Sequence, residues 1–196
     1  MPAGSMIIEG IVATAAGAGG VHLAAMGPEV AAAECLGGAF SQLVLKPFET
    51  SQTAGNLARL PEGVFHLTDD CLLLARIVTG TLDQPPACRP AETVRGWVLA
   101  EMCRAYEFRV EAADTTAPRG RLVARVVRVH DGRPFVGFNR ARQAVVEGAI
   151  LVTRLHLLGI AEVARQLRDL KVLVEKTGGP REHEAFALLE SRVASG

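Results

Sequence analysis

The feature that most constrains this chain is a change of hydrophobic period near Asn139. Before it, short runs of β-branched residues alternate with glycine and proline turns, and Tyr106, Phe108 and Val110 interleave with Glu107, Arg109 and Glu111 at period two. After it, Ala141, Ala144, Val145, Gly148, Ala149, Val152 and Leu155 recur at helical spacing. The expected class is therefore α+β: a mostly β domain over residues 1–138 and a helical C-terminal element over residues 139–196.

The β part reads as a hairpin of Ile7 to Thr14 and Val21 to Met26 around Gly17-Ala18-Gly19-Gly20. A short strand or connection follows from Glu29 to Cys35, punctuated by Gly37-Gly38, and then a buried strand from Ala39 to Leu45. Ser51 to Leu60 is an expected helix, capped by Thr50 or Ser51 and stopped by Pro61. Val64 to Leu67 is strand-like, and Thr68-Asp69-Asp70 offers caps for a helix that runs to about Val78 and stops at Gly80. Thr81 to Pro90 reads as a loop, Thr93 to Glu111 as one long strand, and Arg119 to His130 as another. Such a run of strands closes most naturally into a barrel. In the helical part, Asn139 is an expected N-cap, a second helix spans Ile160 to about Lys176, and Pro180 opens a third that uses Ala185, Leu189 and Val193.

Composition excludes more than it selects. Twenty-one basic residues balance 21 acidic ones, which argues against a nucleic-acid binder. Glu9 interrupts the apolar stretch near the N-terminus, and Arg154 and His156 break the one from Ile150 to Ile160. Neither a signal peptide nor a membrane span is expected, and a cytoplasmic location is. Cys35, Cys71, Cys88 and Cys103 form no CxxC pair and are expected as free thiols. The arginine run from Arg119 to Arg142 reads as solvated or paired across an interface. No P-loop, GxGxxG or GxSxG occurs.

Three segments can carry chemistry. Lys46-Pro47-Phe48-Glu49-Thr50-Ser51-Gln52-Thr53-Ala54-Gly55-Asn56 ends a strand and opens a helix, whose free N–H groups favour a phosphate dianion. The bland alternative is a capped surface helix. In Val21-His22-Leu23-Ala24-Ala25-Met26-Gly27, small residues let a flat ring approach the backbone, or make an ordinary core strand. His66-Leu67-Thr68-Asp69-Asp70 brings a histidine near two carboxylates; the carboxylates sit where helix caps belong, so no metal site is expected.

Taken in order, EGIVAT, VHLAAMGPE, LKPFETSQTAGNL, VFHLTDDCLLLA and GFNRARQAVVEGAILVTRLHLL resemble the split-barrel flavoproteins labelled domain of unknown function 447. The resemblance covers nearly the whole chain. It implies a flavin-reductase-like, FMN-binding split β-barrel with a C-terminal helical element, usually homodimeric. It implies isoalloxazine contacts from His22, Leu23, Ala24, Ala25, Met26 and Gly27. It implies a phosphate site of Lys46, Pro47, Thr50, Ser51, Thr53 and Asn56, with His66 and Thr68 near the ribityl chain or ring. Ala25 stands where the family pattern has proline, and Lys46-Pro47 where it has arginine-proline. The activity implied is an FMN-dependent oxidoreductase with an unidentified small-molecule redox partner, and the link implied is to methanopterin-dependent one-carbon metabolism. The alternative is a non-catalytic flavin carrier, sensor or interaction module. No catalytic side chain is assigned.

Overall fold

The computed structural model describes residues 4–17, 19–37, 39–116 and 118–196. Ala18 and Gly38, members of two expected turns, lie outside them. Packing divides the chain into two compact units, Met1–Thr68 with Pro85–Pro134, and Asp69–Gln84 with Phe135–Gly196. The segment 69–84, expected within the β domain, thus packs with the C-terminal helices.

In the first unit, β1 (Ser5–Ile7), β2 (Ile11–Ala15), β3 (Val21–Ala25), β4 (Glu29–Ala31), β5 (Gln42–Leu45), β6 (Glu62–Leu67), β9 (Arg104–Asp114) and β10 (Arg121–Asp131) form one antiparallel sheet. Its order is β1-β4-β5-β10-β9-β6-β2-β3. β1 runs on into β2, and β3 into β4, so one bent ribbon supplies both ends of the sheet. That bend curls the sheet into a split barrel. The bend needs glycine. A Cβ on Gly10 would lie 2.4 Å from the His66 carbonyl oxygen, and one on Gly27 would lie 2.5 Å from Ile7 Cγ2. Glu29–Cys35 is β4 followed by a turn of 3₁₀ helix rather than one strand.

Register explains the core. Val12, Phe65 and Tyr106 are paired in a row across β2, β6 and β9 and point inward. They join Phe40, Leu43, Leu45, Leu57, Phe108 and Leu122 in one buried cluster, with the Phe40 and Tyr106 rings 4.9 Å apart. The alternate residues Ala13, Val64, His66, Ala105 and Glu107 are also buried, on the opposite face. A hairpin of β7 (Cys88–Pro90) and β8 (Trp97–Leu99) covers that face with Val94, Val98 and Leu99. This hairpin replaces the single strand expected from Thr93 to Glu111. α1 (Gln52–Arg59) packs against β2 and β3.

The second unit contains α2 (Cys71–Thr79), α3 (Arg140–Thr153), the short α4 (Leu155–Leu158), α5 (Ile160–Thr177) and α6 (Pro180–Ala194). Asp70 caps α2 by accepting from Leu73 N, Gly80 ends it at φ +73°, and Asn139 caps α3 by accepting from Arg142 N. The small-residue face of α3 (Ala141, Ala144, Gly148, Ala149) is buried within the chain: a Cβ on Gly148 would touch Leu167 and Leu189. Among the described residues no helix is long and apolar enough to cross a membrane.

Candidate functional site

β3 is the terminal strand of the sheet, so the backbone groups on its outer side have no ladder partner. Leu23 is buried in the sheet, whereas His22, Ala24, Ala25, Met26 and Gly27 are partly exposed. Small side chains on an open strand edge leave N–H and C=O groups within reach of a flat polar ligand.

α1 lies beside this edge. Ser51 caps it: its hydroxyl accepts from Ala54 N at 3.2 Å, and its carbonyl accepts from Gly55 N. Among the described residues the N–H groups of Gln52 and Thr53 in the first turn have no hydrogen-bond partner, and the helix dipole there favours an anion. Thr50 is exposed and Pro47 is buried. Lys46 ends β5 with its ammonium 2.5 Å from the Glu29 carboxylate, a group only 8% exposed.

Thr53 and Asn56 are both buried and face inward. Thr53 Oγ1 lies 3.1 Å from His22 Nε2, and Asn56 Nδ2 donates to Thr14 Oγ1 at 3.0 Å. Thr14 and His22 are themselves register partners. The structure therefore brings His22, Thr53 and Asn56 together as a cluster between α1 and the hairpin. Burial holds the His22 imidazole below its ordinary pKa.

His66 is elsewhere. It is fully buried, with Nδ1 3.2 Å from the Ile11 carbonyl and Nε2 accepting from Leu99 N at 3.1 Å. With Nε2 an acceptor, Nδ1 carries the proton and donates to Ile11. Burial pushes its pKa down to about 4. Both ring nitrogens serve the backbone, Nδ1 at Ile11 of β2 and Nε2 at Leu99 of the β7–β8 hairpin. Thr68 lies one residue past the end of β6.

Sequence reasoning missed a second buried anchor. Glu107 is fully buried and accepts from the N–H groups of Glu92, Thr93 and Val94 at 2.7, 2.7 and 2.9 Å. His130 Nε2 lies 2.6 Å from it, and Arg89 reaches His130 Nδ1. Burial raises the Glu107 carboxyl pKa, but these N–H groups and the His130 ring together hold it below the ordinary value. A lone glutamate in an alternating strand gave no signal of this role.

A cavity of about 460 Å³ opens on the other side of α1, lined by Ala54, Gly55, Ala58, Val110, Gly120 and Leu122 among others. Of the segment Lys46 to Asn56 it touches Pro47, Glu49, Ala54 and Gly55, but not Lys46, Thr50, Ser51, Thr53 or Asn56. Among the described residues no cluster of three His, Cys, Asp or Glu is placed to hold a metal. Cys71, buried in α2, has its thiol pushed up to about 12 by burial and by Glu182 and Asp70, which suits an inert core residue.

The bent ribbon, the curled sheet and the helix beside its terminal strand define a split barrel. The chain belongs to the DUF447 family: "Protein of unknown function (DUF447) N-terminal domain" matches residues 8–132, and "Protein of unknown function (DUF447)" matches 139–191. The FMN-bound protein MM1853 from Methanosarcina mazei superposes with a TM-score of 0.78 at 22% identity, over 95% of this chain and 94% of that one. Nitrilotriacetate monooxygenase component B from Bacillus cereus aligns with a TM-score of 0.50 at 19% identity, over 64% and 69% of the two chains. Flavoredoxin of Desulfovibrio vulgaris aligns with a TM-score of 0.51 at 9% identity, over 65% and 70%. No curated protein matches the sequence significantly.

Proposed function

We propose that this chain binds FMN and serves as a flavin-dependent oxidoreductase. The observation that carries the reading is the juxtaposition of an open, small-residue strand edge at β3 with the free first turn of α1. A flavin mononucleotide has a flat polar ring and a phosphate at opposite ends, and the two features suit those ends. The family and the FMN-bound state of the Methanosarcina mazei protein support it.

In this reading the N–H groups of Gln52 and Thr53 hold the phosphate, with the hydroxyls of Thr50 and Ser51 and the Lys46 ammonium beside them. Glu29 already neutralises part of the Lys46 charge. Ala24 to Gly27 would line the ring. Thr53 and Asn56 would act from beneath, fixing α1 against the hairpin. The flavin, when bound, would supply the redox chemistry, and the protein would bind, orient and shield it.

A visible absorption spectrum followed by titration with FMN and riboflavin tests the reading. FMN is expected to bind one per chain and clearly more tightly than riboflavin. Ser51→Ala is expected to cost at least ~1 kcal/mol for FMN and little for riboflavin, since hydrogen bonds to a charged group are worth about that or more. Equal affinity for the two flavins would remove the phosphate from α1. Reduction of the bound flavin by NADH or NADPH with turnover separates an enzyme from a flavin carrier.

A further inference from the structure

α1 meets the β2–β3 hairpin through a polar seam. Thr53, Asn56 and Arg59 recur every third residue and bond in turn to His22, Thr14 and the Ala15 carbonyl. Leu57 and Leu60 on the same helix are buried among apolar groups. His22 is the titratable group of this seam. β2 and α1 pack against its strand. β2 carries no titratable side chain, and the one on α1, Arg59, is engaged at Ala15. β3 has none besides His22. Burial lowers the imidazole pKa, and no carboxylate on β2, β3 or α1 offsets it. Its partner Thr53 stands in the first turn of α1, and its N–H is one of the two left for a ligand there.

We propose that His22 is a proton-linked positioning residue for a phosphorylated ligand: a dianion seated on the first turn of α1 draws a proton onto the imidazole, which then donates to Thr53 and locks that turn against the hairpin. The inference rests on the FMN reading above. The proton comes from solvent, one per ligand bound, and no covalent bond other than N–H forms. Only the neutral imidazole can be an acceptor at Nε2, so protonation removes the tautomer that would take the Thr53 hydrogen.

Titration calorimetry of the full chain with FMN and with riboflavin, from about pH 6.5 to about pH 8.5, tests the proposal. Proton uptake makes FMN binding weaken as pH rises, by up to about tenfold per pH unit. Riboflavin affinity stays flat. His22→Gln keeps a polar group near Thr53 but cannot titrate, so its FMN affinity is expected to lose the pH dependence. The second phosphate ionisation of FMN, near pH 6, gives the opposite slope, so the sign discriminates. A flat wild-type FMN profile, or a His22→Gln variant that keeps the wild-type slope, overturns the proposal and leaves the FMN reading standing. A wild-type chain that binds neither flavin overturns both.

Discussion

The two compact units fasten themselves by different means. Among the described residues, the buried polar side chains Thr14, Glu29, Thr53, Asn56, His66, Glu107 and His130 all lie in the barrel unit, and the helical one has Glu182 and the Asp69 carboxylate, 4% exposed. The helices pack through periodic apolar and small residues, and their ion pairs include one group in which Arg142 bridges Asp69 and Glu182 and Arg181 pairs with Asp70. In the barrel, buried polar groups attach irregular pieces to a regular sheet: Glu107 and His66 hold the β7–β8 hairpin, and the seam holds α1. A helix satisfies its own backbone and needs only a stripe to bury, whereas a loop laid over a sheet brings unpaired N–H groups that must be met from outside.

The sharpest way to break this contrast is to remove Glu107. Glu107→Ala leaves the N–H groups of Glu92, Thr93 and Val94 and the His130 ring without their shared acceptor. Losing one member of such a buried network costs about 3–5 kcal/mol. Denaturant unfolding is expected to show that loss, and amide exchange at Thr93 and Val94 is expected to quicken. Unchanged exchange at those amides would mean that the hairpin is held by its apolar contacts instead.

Acid attacks the same anchors in two steps. His66 is neutral in the folded chain with a pKa near 4, against 6.5 for a free histidine. Above about pH 6.5 both states are neutral and stability does not depend on this group. Between about pH 6.5 and about pH 4 the unfolded chain binds the proton and the folded chain does not, so stability falls as pH falls. The shift corresponds to about 3 kcal/mol over that window. Glu107, held below its ordinary value, adds a further loss at lower pH as the folded carboxyl takes up its proton. Urea unfolding at a series of pH values reads this directly. A His66→Gln variant is expected to lose the slope between about pH 6.5 and about pH 4, and one that keeps it would shift the titration to another histidine.

The contrast also explains what could be read from the sequence. Ala141, Ala144, Val145, Gly148 and Ala149 were expected on one face of α3, and Ala185, Leu189 and Val193 on α6, and all are buried. Asn139, Ser51 and Asp70 were legible as caps because a cap is a local contract between a side chain and the next turn. The alternation at Tyr106 and Phe108 gave the core face of β9, and the flanking glycine turns gave the first hairpin. Thr93 and Val94 read as strand because their shape is imposed by Glu107, more than ten positions away. His66 looked like a ligand-facing histidine because nothing nearby in sequence reveals the Leu99 N–H that occupies it. Helical spacing put Thr53 and Asn56 on one face of α1 but could not say that the face looks at His22 and Thr14. Local order was legible, and partnership across the sheet was not.

The smallest test compares two glycines. In the barrel, a Cβ on Gly63 would lie 2.6 Å from the Phe108 ring and 2.9 Å from the Ala13 carbonyl oxygen. The ring is locked in the core cluster, and the carbonyl is backbone of the neighbouring strand, so neither yields without moving the sheet. In α3, a Cβ on Gly148 would lie 3.0 Å from Leu167 Cδ2 and 3.1 Å from Leu189 Cδ1. Those atoms are the ends of flexible side chains that can give by a few tenths of an ångström. The helix also gains up to about 1 kcal/mol when alanine replaces glycine. Gly63→Ala is therefore expected to destabilise by about 1–3 kcal/mol, as overpacking does. Gly148→Ala is expected to change stability by less than about 1 kcal/mol. Thermal unfolding of the two variants side by side decides it. Equal losses would mean that the helical unit is packed as rigidly as the barrel, and that the difference between them lies in their polar anchors alone.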